Sequence, residues 1–213
     1  MSEPSVKKRK YQDIETIRLV ICSGNASFWV HKNLLIEKSP SFREAFETMR
    51  FIKGSEQIME LAENDRDVFE IFVQWLYDGK KSLPNLVGLE KDSTDVMLSV
   101  KLWVLANDQQ VEDLQRELMD RLVKAIDRES NYAPSMVVIK YVYGRDTNQE
   151  SAIRKLIADW VGWRSGANVW RAELLQMPAF AANLACSLEY LLDASLKSSR
   201  LRRFPRDGGD HFL

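Results

Sequence analysis

Between Asp67 and Tyr77 the apolar residues Val68, Phe69, Ile71, Phe72, Val73, Trp75 and Leu76 leave almost no polar side. A helix over this stretch carries apolar groups around most of its circumference and must be nearly buried. Asn64 or Asp65 supplies the N-cap, and Asp78-Gly79 stops the helix, with Gly79 as the residue beyond its end. This element requires a packed core, and the rest of the chain is read by how it provides one.

Two strands come first. Ile17-Arg18-Leu19-Val20-Ile21 is rich in β-branched residues, and Ser27-Phe28-Trp29-Val30 returns after a Ser23-Gly24-Asn25 turn. The period then changes. Leu34-Leu35-Ile36 sits in a short helix that ends at Ser39-Pro40, because the residue before proline is pushed out of the α region. Ser39 caps a second helix with Pro40 in its first turn. Phe42, Ala45, Phe46 and Met49 form its apolar face. Ile58-Met59-Glu60-Leu61 reads as a short third strand.

Beyond residue 79 the pattern is helical. Residues 80–93 read as a polar loop. Helices follow over about Asp95 to Ala106 and Val111 to Ile126, the second with Val111, Leu114, Leu118, Leu122 and Ala125 along one side. Pro134 opens a segment with Met136, Val137, Ile139, Tyr141 and Val142. Thr147 and Glu150 make a capping-box pattern before Ile153 to Trp163. Pro178 opens a last helix to about Leu196.

The ordered set of residues resembles a BTB/POZ domain. It runs Phe28-Trp29-Val30-His31-Lys32-x-Leu34-Leu35, Ser39-Pro40-x-Phe42-x-x-x-Phe46, Ile58 to Leu61, then Val68-Phe69-x-x-Phe72-Val73-x-Trp75-Leu76-Tyr77-x-Gly79. Leu102-Trp103-Val104-Leu105-Ala106 and Leu114-Gln115 complete it. The spelling is most similar to BTB proteins of filamentous fungi, and Tyr141-Val142-Tyr143-Gly144 with Ile153-Arg154-Lys155-Leu156 resembles the extension they carry. The resemblance implies an α+β BTB/POZ fold, a small β-sheet with flanking helical hairpins, followed by an all-helical C-terminal extension. The corresponding division is a disordered basic tail at 1–12, the BTB/POZ domain at 13–127, a helical extension at 128–197 and a flexible basic tail at 198–213.

The resemblance also implies that the partners are other proteins. BTB domains that recruit a cullin ubiquitin-ligase scaffold often carry an apolar-x-Glu motif before the third strand. Phe51-Ile52-Lys53 stands at that place here, so Lys53 opposes the sign of the usual acid, and cullin recruitment is left open. These three residues are the candidate partner-binding site. About fifteen residues precede the first strand, too few for the exchanged-strand dimer of long BTB domains, and a homodimer through other faces stays open. His31 is expected to be structural, as in the family it resembles.

Composition narrows the chemistry. Thirty Lys and Arg against thirty-one Asp and Glu give a net charge of −1, which does not suit a general nucleic-acid binder. The charge is uneven: +3 at residues 1–10, +2 at 200–213 and −6 between. Two Cys and two His nearly exclude a zinc site built from those residues, and no nucleophile–base pair or phosphate loop is visible. No cofactor, no metal and no catalysis are expected. Cys22 and Cys186 are read as reduced, inertly packed thiols, which places the chain inside the cell. No apolar stretch reaches about 18 residues, so no membrane span is expected. The run Lys7-Lys8-Arg9-Lys10 is a candidate nuclear-import signal, leaving cytoplasm or nucleus as the compartment. Trp160, Trp163 and Trp170 are read first as core, and as a partner face second. Glu112, Asp113, Glu117 and Asp120, facing Arg116, Arg121 and Lys124, are read as a solvated, ion-paired side.

Overall fold

A computed structural model describes residues 15–21, 26–49, 58–61, 65–86, 94–128, 133–145, 148, 151–165 and 176–197. The chain divides into two compact units, Met1–Asp78 and Gly79–Leu213.

The first unit holds β1 (Thr16–Ile21), β2 (Ala26–His31), α1 (Lys32–Lys38), α2 (Pro40–Met49), β3 (Ile58–Leu61) and α3 (Arg66–Asp78). The sheet order is β2-β1-β3, with β1 antiparallel to β2 and parallel to β3. Strand alternation puts Ile17, Leu19 and Ile21 on one fully buried face, and their cross-strand partners include Val30, Met59 and Leu61. Thr16, Arg18 and Val20 take the opposite face.

Ser39 joins two helices with one residue. Its N–H donates to Leu35 O at 2.9 Å, closing α1, and its Oγ accepts the Phe42 N–H at 3.0 Å, capping α2. The Arg43 guanidinium donates to Ile36 O at 2.9 Å, satisfying another terminal carbonyl of α1. Asp65 is the α3 cap, its Oδ1 accepting the Asp67 N–H at 3.1 Å. Gly79 leaves α3 at φ +62°, a conformation costly for any residue with a Cβ.

α3 buries Val68, Phe69, Phe72, Trp75 and Leu76, while Ile71 and Val73 are only half-buried and Glu70, Gln74 and Tyr77 are exposed. The expectation of a nearly buried helix is narrowed: the row at i, i+1, i+4, i+7 and i+8 from Val68 takes the core position. Aromatic rings link its layers. Phe28 of β2 lies 5.6 Å from Phe69, Phe69 lies 5.4 Å from Phe72, and Phe42 of α2 lies 6.3 Å from Phe72. Such pairs add about 0.5–1.5 kcal/mol each beyond their buried area.

The second unit begins with a 3-10 turn (Gly79–Ser82) and continues through α4 (Thr94–Asp108), α5 (Glu112–Arg128), α6 (Met136–Arg145), α7 (Ala152–Ser165) and α8 (Pro178–Lys197). α4 packs on α5 and α6, and α7 packs on α5, α6 and α8. α4 and α7 are both enclosed, with residues 102–106 and 156–161 buried without interruption. The turn into α5 places Gln110 at φ +54°, and the Val111 N–H donates to Ala106 O at 2.7 Å. Thr147 and Glu150, the expected cap of α7, lie outside the described residues.

Two expectations change here. The described part of the polar loop, residues 80–86, contains buried Leu83 and Leu86. Arg121 of α5 fastens it by donating to the carbonyls of Lys80 and Pro84. Arg121 therefore works as a backbone clamp and not as a member of a solvated ion-paired face. A charged residue on a helix satisfies loop carbonyls as readily as carboxylates, and sequence spacing does not distinguish the two.

Candidate functional site

Phe51, Ile52 and Lys53, the candidate partner-binding residues, lie outside the described residues, as does the Lys7-Lys8-Arg9-Lys10 run. Cys22 and Trp170 also fall outside them. What the structure offers instead is described for each unit by itself, beginning with β2 and α3 of the first.

Among the described residues β2 is an edge strand of its sheet. The Lys32 N–H donates to Glu15 O at 2.9 Å, so the Glu15–Lys32 position is a hydrogen-bonded pair. Antiparallel ladders alternate such pairs. In the observed register Ile17–Val30, Leu19–Phe28 and Ile21–Ala26 therefore exchange hydrogen bonds, and Ser27, Trp29 and His31 turn their N–H and C=O groups away from β1. The His31 N–H agrees with this, since it donates to the Tyr77 hydroxyl at 3.1 Å. Trp29 is 59 % exposed on the outer sheet face, opposite Arg18, and Phe28 is half-buried on the inner face. Sequence reasoning placed Trp29 in the strand but not at the surface. Phe28, Trp29 and Val30 are consecutive and apolar, so alternation gave no sign of which one faces water.

His31 ends β2 half-buried. Its Nδ1 lies 2.8 Å from the Tyr77 hydroxyl, and the two rings meet edge to face at 5.6 Å. The phenol oxygen accepts the backbone N–H and shares a second hydrogen bond with Nδ1, whose donor is set by the imidazole tautomer. The imidazole is thus oriented by a phenol that ties β2 to α3, an arrangement that joins secondary elements.

The tryptophans separate. Trp160 is buried in α7, in line with a core role, whereas Trp163 is half-buried. Cys186 is a free thiol exposed on α8, which corrects the expectation that it packs inertly. Its small Ala and Ser neighbours made it look buried, but Phe180, Leu184 and Ser187 take the inward side. Two sets of polar groups in this unit pair across helices. The Ser187 hydroxyl donates to Asp159 Oδ1. The Arg154 guanidinium stands 4.6 Å from the Tyr143 ring centroid and donates to Tyr143 O at 3.2 Å, while the Tyr143 hydroxyl donates to Arg154 O at 3.1 Å. Burial raises the Tyr141 pKa above its ordinary 10.0, against the lowering charges of Arg145 and Lys101. Among the described residues no cluster of three or more His, Cys, Asp or Glu is placed to hold a metal. No described helix is long and apolar enough to cross a membrane.

In the first unit this geometry offers an exposed indole and backbone N–H and C=O groups turned away from β1, which are means of protein recognition. No curated protein matches the chain. The BTB/POZ domain family matches residues 7–120, more than half of its length. That family comprises protein–protein interaction domains that are generally without catalytic activity. The match agrees with the α+β architecture, in which a small sheet and helices are followed by further helices, and the chain belongs to the BTB/POZ domain family.

Proposed function

We propose that the chain is a non-catalytic interaction module that associates with a second copy of itself. The supporting observation is Trp29, an indole 59 % exposed on the strand that is the sheet edge among the described residues. Exposed tryptophans are the side chains most enriched among residues that carry binding energy. The domain occupies residues 13–127, and residues 128–197 form a helical extension. Phe51, Ile52 and Lys53 offer a second contact for a different protein.

Sedimentation equilibrium of the purified full chain over a wide concentration range tests the reading. A mass that rises toward twice 24.7 kDa supports it, and a constant monomer mass removes it. Adding a cullin N-terminal domain tests the adaptor alternative, which Lys53 opposes by its charge. For localisation, the reading is intracellular, in cytoplasm or nucleus. A reporter fused to residues 1–12 that stays evenly distributed removes the nuclear-import role of Lys7, Lys8, Arg9 and Lys10.

A further inference from the structure

We infer that the second copy docks on the β2 edge, pairing antiparallel with its counterpart about a twofold axis at Phe28. The inference rests on the self-association reading and specifies its surface and register.

The first argument is the state of the edge. Natural edge strands are blunted by lysine, proline or a bulge. Residues 26–31, Ala-Ser-Phe-Trp-Val-His, contain no lysine and no proline, and their pairing with β1 runs without a bulge. Ser27 and Trp29 turn both N–H and C=O outward. A strand of the same sequence meets those groups best when Ser27 faces Trp29 of the second copy and Trp29 faces its Ser27. The two pairs then exchange four backbone hydrogen bonds.

The second argument is that the structure selects this register. Centring the axis on Trp29 requires the outward N–H of His31, which already donates to the Tyr77 hydroxyl at 3.1 Å. Centring it on Ser27 carries Trp29 beyond the described end of β2. Among the described residues, only the Phe28-centred pairing uses outward groups of the strand to which no hydrogen bond is made.

The third argument is side-chain fit. Ser27 and Trp29 share the outer face, so each large indole lies against a small serine of the other copy. On the inner face the two half-buried Phe28 rings meet at the axis, at the close, non-hydrogen-bonded position of the ladder. Both aromatics of β2, exposed Trp29 and half-buried Phe28, are thereby covered by one isologous contact. A single strand pairing buries less than the roughly 1,200 Å² of a standard interface, so the association is expected in the micromolar range or weaker.

The test is sedimentation equilibrium of the full chain at about 1–500 µM, a range suited to a small interface, for the wild type, Ser27→Pro and Trp29→Lys. Proline at position 27 removes an outward N–H and leaves the β1 ladder bonds in place. Lysine at position 29 adds charge on an exposed site. Each variant is expected to weaken self-association at least about 10-fold with an unchanged far-ultraviolet circular dichroism spectrum. If Ser27→Pro does not fold, Trp29→Lys decides. A wild type that associates and variants that associate equally well overturn the β2 pairing and leave self-association to another face. A wild type that stays monomeric throughout overturns both.

Discussion

The Tyr77 hydroxyl stands between two groups of one residue, 3.1 Å from the backbone nitrogen of His31 and 2.8 Å from its Nδ1. It fixes the end of the edge strand to the last turn of α3 and removes the one outward N–H that would permit another strand register. Tyr77→Phe keeps the ring and deletes both hydrogen bonds. Because His31 is half-buried, the cost is expected at about 1–2 kcal/mol, measured as a shift in the urea midpoint at constant slope. An unchanged midpoint would show that water replaces the phenol without loss.

Lys32 is expected to act through its stem more than through its charge. Its ammonium lies 2.9 Å from Glu15 Oε2 and 5.5 Å from the Phe46 ring centroid, yet the Glu15 side chain is 62 % exposed. An ion pair with a solvated partner contributes about 0–1 kcal/mol. Lys32→Met, which keeps the apolar stem, should therefore stay within about 1 kcal/mol of the wild type. Lys32→Ala should lose more, about 1–3 kcal/mol, through lost packing. Equal losses for the two variants in chemical denaturation would assign the stabilisation to the charge.

How much was readable from the sequence depended on distance along the chain. The dual cap at Ser39 was legible because serine before proline states both the end of one helix and the start of the next. Asp65 and Gly79 were legible for the same local reason. The sheet followed from β-branched runs and turn residues, and the family resemblance lay in an ordered set of such local signals. Partners far apart were not legible. Arg154 and Tyr143 are eleven residues apart, and Ser187 lies twenty-eight residues from Asp159. Leu83 and Leu86 were missed because two isolated leucines in a polar stretch carry no period. Trp29 was missed because three consecutive apolar residues hide the outward position.

Gly162 allows α7 and α8 to approach closely. A methyl built there meets Leu191 Cδ1 at 3.4 Å and Leu184 Cδ1 and Leu188 Cδ2 at 3.5 Å, all ends of flexible side chains at ordinary contact distance. Alanine thus fits, and it costs less in helix entropy than glycine. Gly162→Ala should stabilise by about 0.5–1 kcal/mol. Gly162→Phe should destabilise by about 1–3 kcal/mol through overpacking. Thermal unfolding of both variants checks the pair, and a lower melting temperature for Gly162→Ala would mean that the leucines cannot move even slightly.

Tyr141 gives the fold an alkaline limit. Burial is the largest cause of its raised pKa, with the Arg145 and Lys101 charges opposing and Asp108 reinforcing. Lys101 Nζ lies 5.8 Å from its ring centroid, which ties α4 to α6. At neutral pH the phenol is protonated in both the folded and the unfolded chain and contributes no pH dependence. As pH rises past 10.0 the unfolded phenol ionises first, so the unfolded state binds fewer protons and is favoured. Stability is therefore lost from about pH 10 upward until the folded phenol also ionises. Tyr141→Phe removes this loss and carries a constant offset at lower pH from the deleted hydroxyl. Urea denaturation of both proteins from about pH 8 to pH 11.5 should show the difference shifting in favour of the variant above pH 10. Parallel curves would show that Tyr141 ionises equally easily in both states, and that other groups set the alkaline limit.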